Sequence, residues 1–259
     1  MSVHKYVHED RVDVIESGMI RFSQPAVFND PFELRPALSK VLSEQAAKQA
    51  FEQLAEKEPD MQRLREPILN DLERRSNQGA AAMQALLARK FNENFGILSL
   101  TRTPDSLLMW AHYANGHQGF VIEFDECHPW FHQGHEGFAH LGHLRDVRYS
   151  KRRPYATMDK LDEIDLLLTK SVQWKCEREM RLVLALQKCT QRIPASPFDI
   201  CLFELPAACV VGITLGCRTS KATEDKIQEI LSTNERYSHV ILRHAKVDGS
   251  AFRLNVVDP

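Results

Sequence analysis

The residues best suited to chemistry are three charged side chains near position 180. Glu177, Glu179 and Arg181 are spaced two apart, and a β-strand would place all three on one face because successive side chains alternate in direction. Like charges on one strand face repel each other, and a single arginine offsets only part of that repulsion. The pattern favours a polar pocket, with a solvated strand face as the alternative.

The neighbouring residues predict how this strand is placed. Val183 and Ala185 continue the charged face as apolar residues. We therefore expect that face to be covered at one end and open at the other, like the wall of a cleft. The opposite face is an apolar row that suits a protein core, formed by Met180, Leu182, Leu184 and Leu186.

A second polar group follows the strand predicted over residues 19–25. Asn29-Asp30-Pro31 has the composition of a turn, because Asp before Pro is driven out of the helical region and Asn and Asp bond their own backbone. Two flanking phenylalanines would pin this turn to a core. The functional interpretation is a rigid loop that presents Asn29, Asp30 and Glu33 to a pocket; the alternative is a well-anchored turn.

Aromatic side chains with polar tips are concentrated on a helix predicted over residues 107–114, which Asp105 or Ser106 caps. Trp110, His112 and Tyr113 suit the wall of a site for a planar ligand. A tryptophan and a tyrosine at this spacing are equally common as core residues. For Trp110, the ligand-site and core interpretations are equally supported. For Tyr113, the core interpretation is favoured.

The elements that must position these residues indicate an α+β fold. Strands and helices alternate irregularly, which points to a mixed, largely antiparallel sheet. The strand with the charged trio is predicted over 174–186, after a helix over 159–173. Residues 39–94 read as a helical insertion that prolines 59 and 67 break. We expect a single domain over 1–259 with this insertion.

Composition narrows the function classes. The chain has 259 residues, 26% charged residues and a formal net charge of −2, so charge gives no argument for nucleic acid or membrane as the main partner. No run is long and apolar enough for a membrane span, and the N-terminus lacks a signal-peptide pattern. Six scattered cysteines without a Cys-x-x-Cys pair predict reduced thiols in a cytoplasmic protein.

A histidine-rich stretch between residues 128 and 143 raises the question of a metal. It has no His-x-x-x-His on a convincing helix with a carboxylate partner, and glycines interrupt it. We expect a surface loop and no metal site. Its histidines are His128, His132, His135, His140 and His143.

Several stretches in chain order carry a family resemblance. The chain resembles the bacterial domain-of-unknown-function family 2971 over nearly its whole length, outside the 39–94 insertion and the histidine-rich loop. Membership in that family implies no established activity. The stretches are 20–25, 28–33, 109–113, 119–124, 147–149, 174–181 and 213–216.

The order of these motifs more distantly resembles the ADP-ribosyltransferase superfamily, nearest to its DNA-modifying toxin branch, whose members use NAD and have a split sheet. That resemblance implies that Arg21 anchors NAD with Ser23 beside it, and that Trp110 or Tyr113 lines the nicotinamide pocket. It also implies that Glu179, or Glu177, is the catalytic carboxylate, oriented by Arg181. No family motif corresponds to the Asn29-Asp30 turn.

Two main functions follow from these observations. The first is an NAD-consuming transferase or glycohydrolase of toxin or phage-defence type, with NAD as substrate, a nucleic-acid or protein acceptor, and no metal. The second is a non-catalytic ligand-sensing or interaction domain, in which the polar motifs form a closed hydrogen-bond network. A metal-dependent hydrolase that uses the histidine-rich loop ranks below both.

Overall fold

A computed structural model describes residues 1–35, 37–57, 59–134 and 141–258 of the chain. Contacts within the chain divide it into two compact units. The first unit comprises residues 1–27, 94–147 and 173–259, and the second comprises residues 28–93 and 148–172. The prediction of a single domain stays a prediction.

The regular elements are numbered in chain order. The strands are β1 (Ser2–Val7), β2 (Met19–Phe22), β3 (Ala37–Leu38), β4 (Phe95–Thr101), β5 (Phe120–Asp125), β6 (Arg145–Asp146), β7 (Arg148–Ser150), β8 (Tyr155–Ala156), β9 (Thr169–Ser171), β10 (Glu179–Ala185), β11 (Gln191–Ile193), β12 (Ile200–Glu204), β13 (Val210–Leu215), β14 (Ile241–Val247) and β15 (Leu254–Val257). The helices are α1 (Asp13–Ser17), α2 (Glu44–Lys57), α3 (Arg65–Asn94), α4 (Leu107–Tyr113), α5 (Glu163–Leu168) and α6 (Lys221–Thr233).

The first unit contains a large mixed sheet and a smaller one. The large sheet has the order β15-β14-β13-β5-β1-β4-β10-β6, in which β13 and β14 run parallel and the other neighbours run antiparallel. The small sheet has the order β11-β12-β2 and is antiparallel. The predicted α+β class with a mixed, largely antiparallel sheet is confirmed.

Strands β1 and β4 are joined at one ladder position, His4 opposite Thr101. Further along β4, the backbone of Ile97 exchanges two hydrogen bonds with Ser23, which follows β2. Strand β10 pairs with β4 along its whole length on one side, whereas the other side of β4 is shared by β1 and the residue that follows β2.

The core of the first unit is on the face of β10 that the sequence predicted to be apolar. Met180, Leu182 and Leu184 are buried in a cluster with side chains of β1, β4, β5 and β13. Leu186 joins the same cluster, although it follows the end of β10. A second, smaller apolar cluster includes Trp110 of α4.

The second unit is built from α2, α3 and α5 with two short parallel strand pairs, β3–β8 and β7–β9. The prediction that Pro67 breaks a helix is wrong, because Pro67 is in the first turn of α3, where its missing N–H costs no hydrogen bond. Helix α3 also continues through Gly79, where a Cβ would lie 3.2 Å from a methyl carbon of Val41.

The predicted boundaries between residues 159 and 186 also need correction. The expected helix 159–173 is shorter, because Thr169–Ser171 pairs with β7 as a strand. The expected strand 174–186 begins only at Glu179, after a 3₁₀ helix over Val172–Glu177. Arg178 separates the two with a φ of +44°, which extended backbone does not allow.

Within the described part of the chain, no helix combines the length and the apolar character that crossing a membrane requires.

Candidate functional site

Glu179 and Arg181 form a buried, bidentate ion pair on one face of β10. Arg181 Nε donates to Glu179 Oε1 at 2.8 Å, and Arg181 Nη2 donates to Glu179 Oε2 at 3.0 Å. The Arg181 side chain is 0% exposed and that of Glu179 is 4% exposed. Paired N–H donors on a carboxylate give strong and directional hydrogen bonds, so this pair has a fixed orientation.

The charged face of β10 is more buried than the sequence predicted. Glu179, Arg181 and Val183 are all buried, and Ala185 is partly exposed. The expectation that the charged end of this face is open is therefore wrong. An isolated buried charge has a high free-energy cost, and the ion pair between Glu179 and Arg181 offsets part of that cost.

Glu177 lies before β10, at the end of the 3₁₀ helix, and not on the strand as the alternation predicted. Its carboxylate Oε1 accepts a hydrogen bond from the Tyr113 hydroxyl at 2.6 Å. Its backbone carbonyl accepts one from Thr101 Oγ1 at 2.5 Å. Helix α4 and strand β4 thus position this buried carboxylate from two directions.

A row of polar residues crosses the large sheet at the level of Glu179. Glu179 is opposite Thr101, Thr101 is opposite His4, and His4 is opposite Glu123. Neighbouring strands are about 4.8 Å apart, so the row is continuous from β10 to β5. Burial lowers the pKa of His4, and its Nδ1 has no hydrogen-bond partner in the described residues. At the far end, Arg243 Nη1 contacts Glu123 Oε2 at 2.9 Å.

Lys5 is a charged residue of this region that the sequence argument missed. Its Nζ donates to the Ser99 carbonyl at 3.2 Å, where β1 and β4 are no longer paired. Burial lowers the pKa of Lys5 to about 8; the Glu179 carboxylate opposes this shift and the Arg11 guanidinium adds to it. The signal in the sequence was a lysine between the buried valines of β1.

Helix α4 begins as predicted and carries Trp110 into the core. Ser106 is the N-cap, and its Oγ accepts a hydrogen bond from Met109 N at 3.4 Å. Trp110 is fully buried, donates from Nε1 to the Pro104 carbonyl at 3.0 Å, and meets the Tyr6 ring edge-on at a centroid distance of 5.3 Å. These contacts favour the core interpretation for Trp110.

The two other polar aromatic residues of α4 differ from Trp110 in exposure. His112 is exposed, whereas Tyr113 is half-buried. The contact of Tyr113 with Glu177 gives its hydroxyl a defined partner inside the polar cluster. Tyr113 is therefore the aromatic residue of this helix that the structure joins to the charged residues.

Arg21 and Ser23 are both in the first unit, with Arg21 on a strand of the small sheet and Ser23 directly after that strand. Arg21 is on β2 opposite Leu202 of β12 and is half-buried. Burial lowers the pKa of Arg21, and the Arg11 charge lowers it further. Its Nε has no hydrogen-bond partner among the residues described. Ser23 meets Ile97 through backbone hydrogen bonds.

Asn29 and Asp30 belong to the second unit. The predicted turn is confirmed, since Asp30 Oδ1 accepts from Phe32 N at 2.9 Å and the Asp30 carbonyl accepts from Glu33 N at 3.2 Å. Asp30 and Glu33 are buried, and Glu33 Oε2 is 3.7 Å from Lys170 Nζ. The expected anchoring by both phenylalanines is wrong for Phe32, which is 59% exposed.

The histidine-rich stretch is only partly described, because His135 and His140 lie outside the described residues. His132 and His143 have ring centroids 6.1 Å apart, and His132 Nε2 contacts the Glu126 carbonyl at 2.8 Å. Among the residues with a described position, potential metal-ligand atoms lie within 4.8 Å of one another at His8, Glu9 and Asp10. His8 Nδ1 already accepts a hydrogen bond from Asp10 N.

Most of α4 and the start of β10 fall within the segment that comparison with protein families recognises. Residues 109–182 match the model of DUF2971, described as a protein of unknown function. No curated protein and no solved structure matches the chain. The DUF2971 match supports the predicted domain-of-unknown-function family and assigns no activity. It covers Tyr113, Glu177, Glu179 and Arg181.

Proposed function

We propose that the protein consumes NAD, cleaving the bond between nicotinamide and ribose and passing ADP-ribose to water or to an acceptor. The observation that carries this proposal is the burial of ionisable groups around Glu179, namely Glu177, Arg181 and the half-buried Lys5. Buried ion pairs contribute little net stability, because desolvation offsets their attraction. Clustered and perturbed ionisable groups are typical of functional sites.

The proposed roles follow from the charge that develops in this reaction. When nicotinamide leaves, the ribose becomes cation-like, and a carboxylate stabilises it. We assign this role to Glu177, a buried carboxylate whose Oε1 accepts a hydrogen bond from the Tyr113 hydroxyl at 2.6 Å. Glu179 and Arg181 position the cluster. Lys5 joins Arg21 as a candidate for the contact with the diphosphate of NAD.

The hydrolytic form of the reaction converts NAD and water into nicotinamide, ADP-ribose and a proton. The test is to incubate the purified full-length chain with NAD, alone and with DNA, RNA or protein acceptors, and to separate the products by chromatography. Free nicotinamide together with ADP-ribose or a modified acceptor supports the proposal. Unchanged NAD in every mixture contradicts the proposal.

The second candidate is a non-catalytic ligand-sensing or interaction domain with a structural polar network. The complete burial of Arg181 and its bidentate contact with Glu179 favour it. A thermal-shift screen with NAD, ADP-ribose and other nucleotides, read together with the assay of nicotinamide release, distinguishes the enzyme from the sensing domain. Binding of NAD without nicotinamide release supports the sensing domain, whereas release supports the enzyme.

A further inference from the structure

A cavity of about 420 Å³ lies within the first unit, where the loops that follow α4 and β13 meet the turn between β14 and β15. Sites for small molecules occupy roughly 300–1,000 Å³ and combine an apolar wall with a few polar groups. The cavity has this composition, and Glu179 with the charged residues around it does not line it. Its wall includes Leu107, His117, Arg218, Val247, Phe252 and Leu254.

The loops after α4 and β13 are joined through their backbones. Arg218 N donates to the His117 carbonyl at 3.0 Å. A Cβ at Gly216 would lie 2.1 Å from the same carbonyl oxygen, so the two segments are in direct backbone contact. The His117 ring is also nearly parallel to the Trp110 ring, with 8° between the planes and 6.2 Å between the centroids. These contacts hold the His117 ring and the Arg218 backbone in place.

The turn between β14 and β15 forms another wall, and the Asp248 carboxylate organises it. Asp248 Oδ1 accepts from Ser250 N at 2.8 Å and from Ala251 N at 2.9 Å. Asp248 Oδ2 accepts from Arg253 Nε and from Asn255 Nδ2, both at 2.9 Å. These hydrogen bonds, that from Asn255 foremost, hold the pKa of Asp248 well below its usual range. The turn therefore has a defined shape, and Arg253 neutralises the Asp248 charge within it.

Three apolar side chains of the cavity wall remain in contact with solvent. Phe252 is completely exposed, Val247 is 72% exposed and Leu107 is 36% exposed. Phe252 directly follows Ala251 in the organised turn, so its exposure belongs to a structured segment. Exposed apolar side chains that lie together mark binding sites. They give a planar apolar group a surface on which to leave water.

The charge of the cavity comes from Arg218. The Arg218 guanidinium has no ion-pair partner among the residues that the structure describes. Burial lowers the pKa of His117 and the Arg218 charge lowers it further, so this imidazole is neutral at pH 7. Arg218 therefore provides the cavity with an uncompensated positive charge. A carboxylate suits it, because a guanidinium binds a carboxylate through two parallel hydrogen bonds.

We propose that this cavity binds a small planar aromatic molecule that carries a carboxylate. The aromatic ring packs against Phe252, Val247 and Leu107, and the carboxylate pairs with Arg218. The proposal is independent of NAD cleavage, since the residues assigned to that reaction do not line the cavity.

The experiment uses 1-naphthoate as the probe and Cys217 as the reporter, because this half-buried thiol lines the cavity. The dissociation constant is measured by calorimetry on the full-length chain. Iodoacetamide is then added with and without the probe, and tandem mass spectrometry follows alkylation at each cysteine. At roughly ten times the dissociation constant, alkylation of Cys217 is expected to slow about tenfold, since only the empty cavity reacts. The exposed Cys127 and Cys176 should react at unchanged rates.

Two results overturn the proposal at this stage. One is the absence of heat of binding with 1-naphthoate. The other is alkylation of Cys217 at the same rate with and without saturating probe, because that places the bound molecule elsewhere on the chain.

Variants test the charged and the apolar contacts separately. Arg218→Gln is expected to weaken binding of 1-naphthoate about tenfold or more and to leave binding of the neutral 1-naphthalenemethanol unchanged. Phe252→Ser is expected to weaken binding of both molecules. Both side chains are exposed, so the variants should fold, and unfolding midpoints check this.

Arg236→Gln and Phe32→Ser are the matched controls, because these residues are exposed and do not line the cavity. Both controls should bind 1-naphthoate as the wild type does. Equal affinities of Arg218→Gln and wild type for 1-naphthoate, or an equal loss in Arg218→Gln and Arg236→Gln, overturn the proposal.

Discussion

Arg181 holds both carboxylate oxygens of Glu179 in a region without solvent. Replacing one partner of such a pair leaves a buried charge and costs about 3–5 kcal/mol, whereas replacing both by apolar residues of similar volume restores much of that loss. We therefore expect Arg181→Met to lower the free energy of unfolding by that amount. The double variant Arg181→Met/Glu179→Leu should recover most of it, as measured by urea titration.

An exposed pair provides the matched control. Lys48 and Glu44 are 2.7 Å apart on the surface of α2, and exposed pairs of this kind contribute little to stability. Lys48→Ala should therefore change the unfolding free energy far less than Arg181→Met does. Equal losses of unfolding free energy in Arg181→Met and Lys48→Ala would contradict the burial of the Arg181–Glu179 pair.

Lys5 gives a pH dependence with a definite sign. Its pKa falls from 10.5 to about 8 on folding because of burial, so the unfolded chain binds this proton more tightly. The resulting penalty is complete below pH 8 and disappears as the pH rises towards 10.5. Relative to Lys5→Met, the wild-type free energy of unfolding should rise by up to about 3 kcal/mol over that interval.

Urea titrations of both proteins at pH 7.5 and pH 10 measure this difference. Comparison with Lys5→Met cancels the contributions of all other titrating groups, because both proteins contain them. Lys5→Arg is the second control, because arginine stays charged throughout this range. If the difference in unfolding free energy between wild type and Lys5→Met is equal at both pH values, Lys5 is not buried as described.

The sequence predicts part of the site because alternation is a local property. It correctly placed Glu179 and Arg181 on the face opposite Met180. It missed Lys5, because the burial of a single charged residue depends on strands that are distant in sequence. It placed Glu177 on the strand, because the positive φ of Arg178 has no signature in that residue type.

The turn between α4 and β5 depends on Gly119, which is packed against the backbone of β1. A Cβ at this position would lie 2.0 Å from the Val7 carbonyl oxygen. Since backbone atoms cannot yield as a flexible side chain does, Gly119→Ala should lower the unfolding free energy by about 3 kcal/mol or more. Thermal and urea unfolding measure the loss.

Gly249→Ala is the control for this substitution, because no atom lies within 4 Å of the position that its Cβ would take. Its effect should stay within about 0.5 kcal/mol. Equal unfolding midpoints for Gly119→Ala and Gly249→Ala would show that the close approach of Gly119 to β1 is not present in solution.

Element types were more predictable than their boundaries. The capping Ser106 and the terminating Gly18 mark the start of α4 and the end of α1 by local chemistry. Helix α3 passes through Pro67 and Gly79, because the proline is in the first turn and the glycine faces Val41 closely. Such tolerance depends on position and packing, which composition does not reveal.

The molecule as a whole matches the predicted α+β class with a mixed sheet. Its division into two compact units was not predicted, because each unit combines segments that are separate in the sequence. The DUF2971 match covers residues 109–182 and leaves activity open. A cytoplasmic location and a toxin or phage-defence setting stay predictions.

In the proposed reaction, Glu177 stabilises the cation formed when nicotinamide leaves NAD. The most direct measurement is the rate of nicotinamide release at saturating NAD by wild type and Glu177→Gln, with unfolding midpoints recorded for both. Loss of a charged transition-state contact predicts a fall of about 100-fold or more with NAD binding retained. Equal rates in the two proteins, or no release by the wild type, would contradict this role of Glu177.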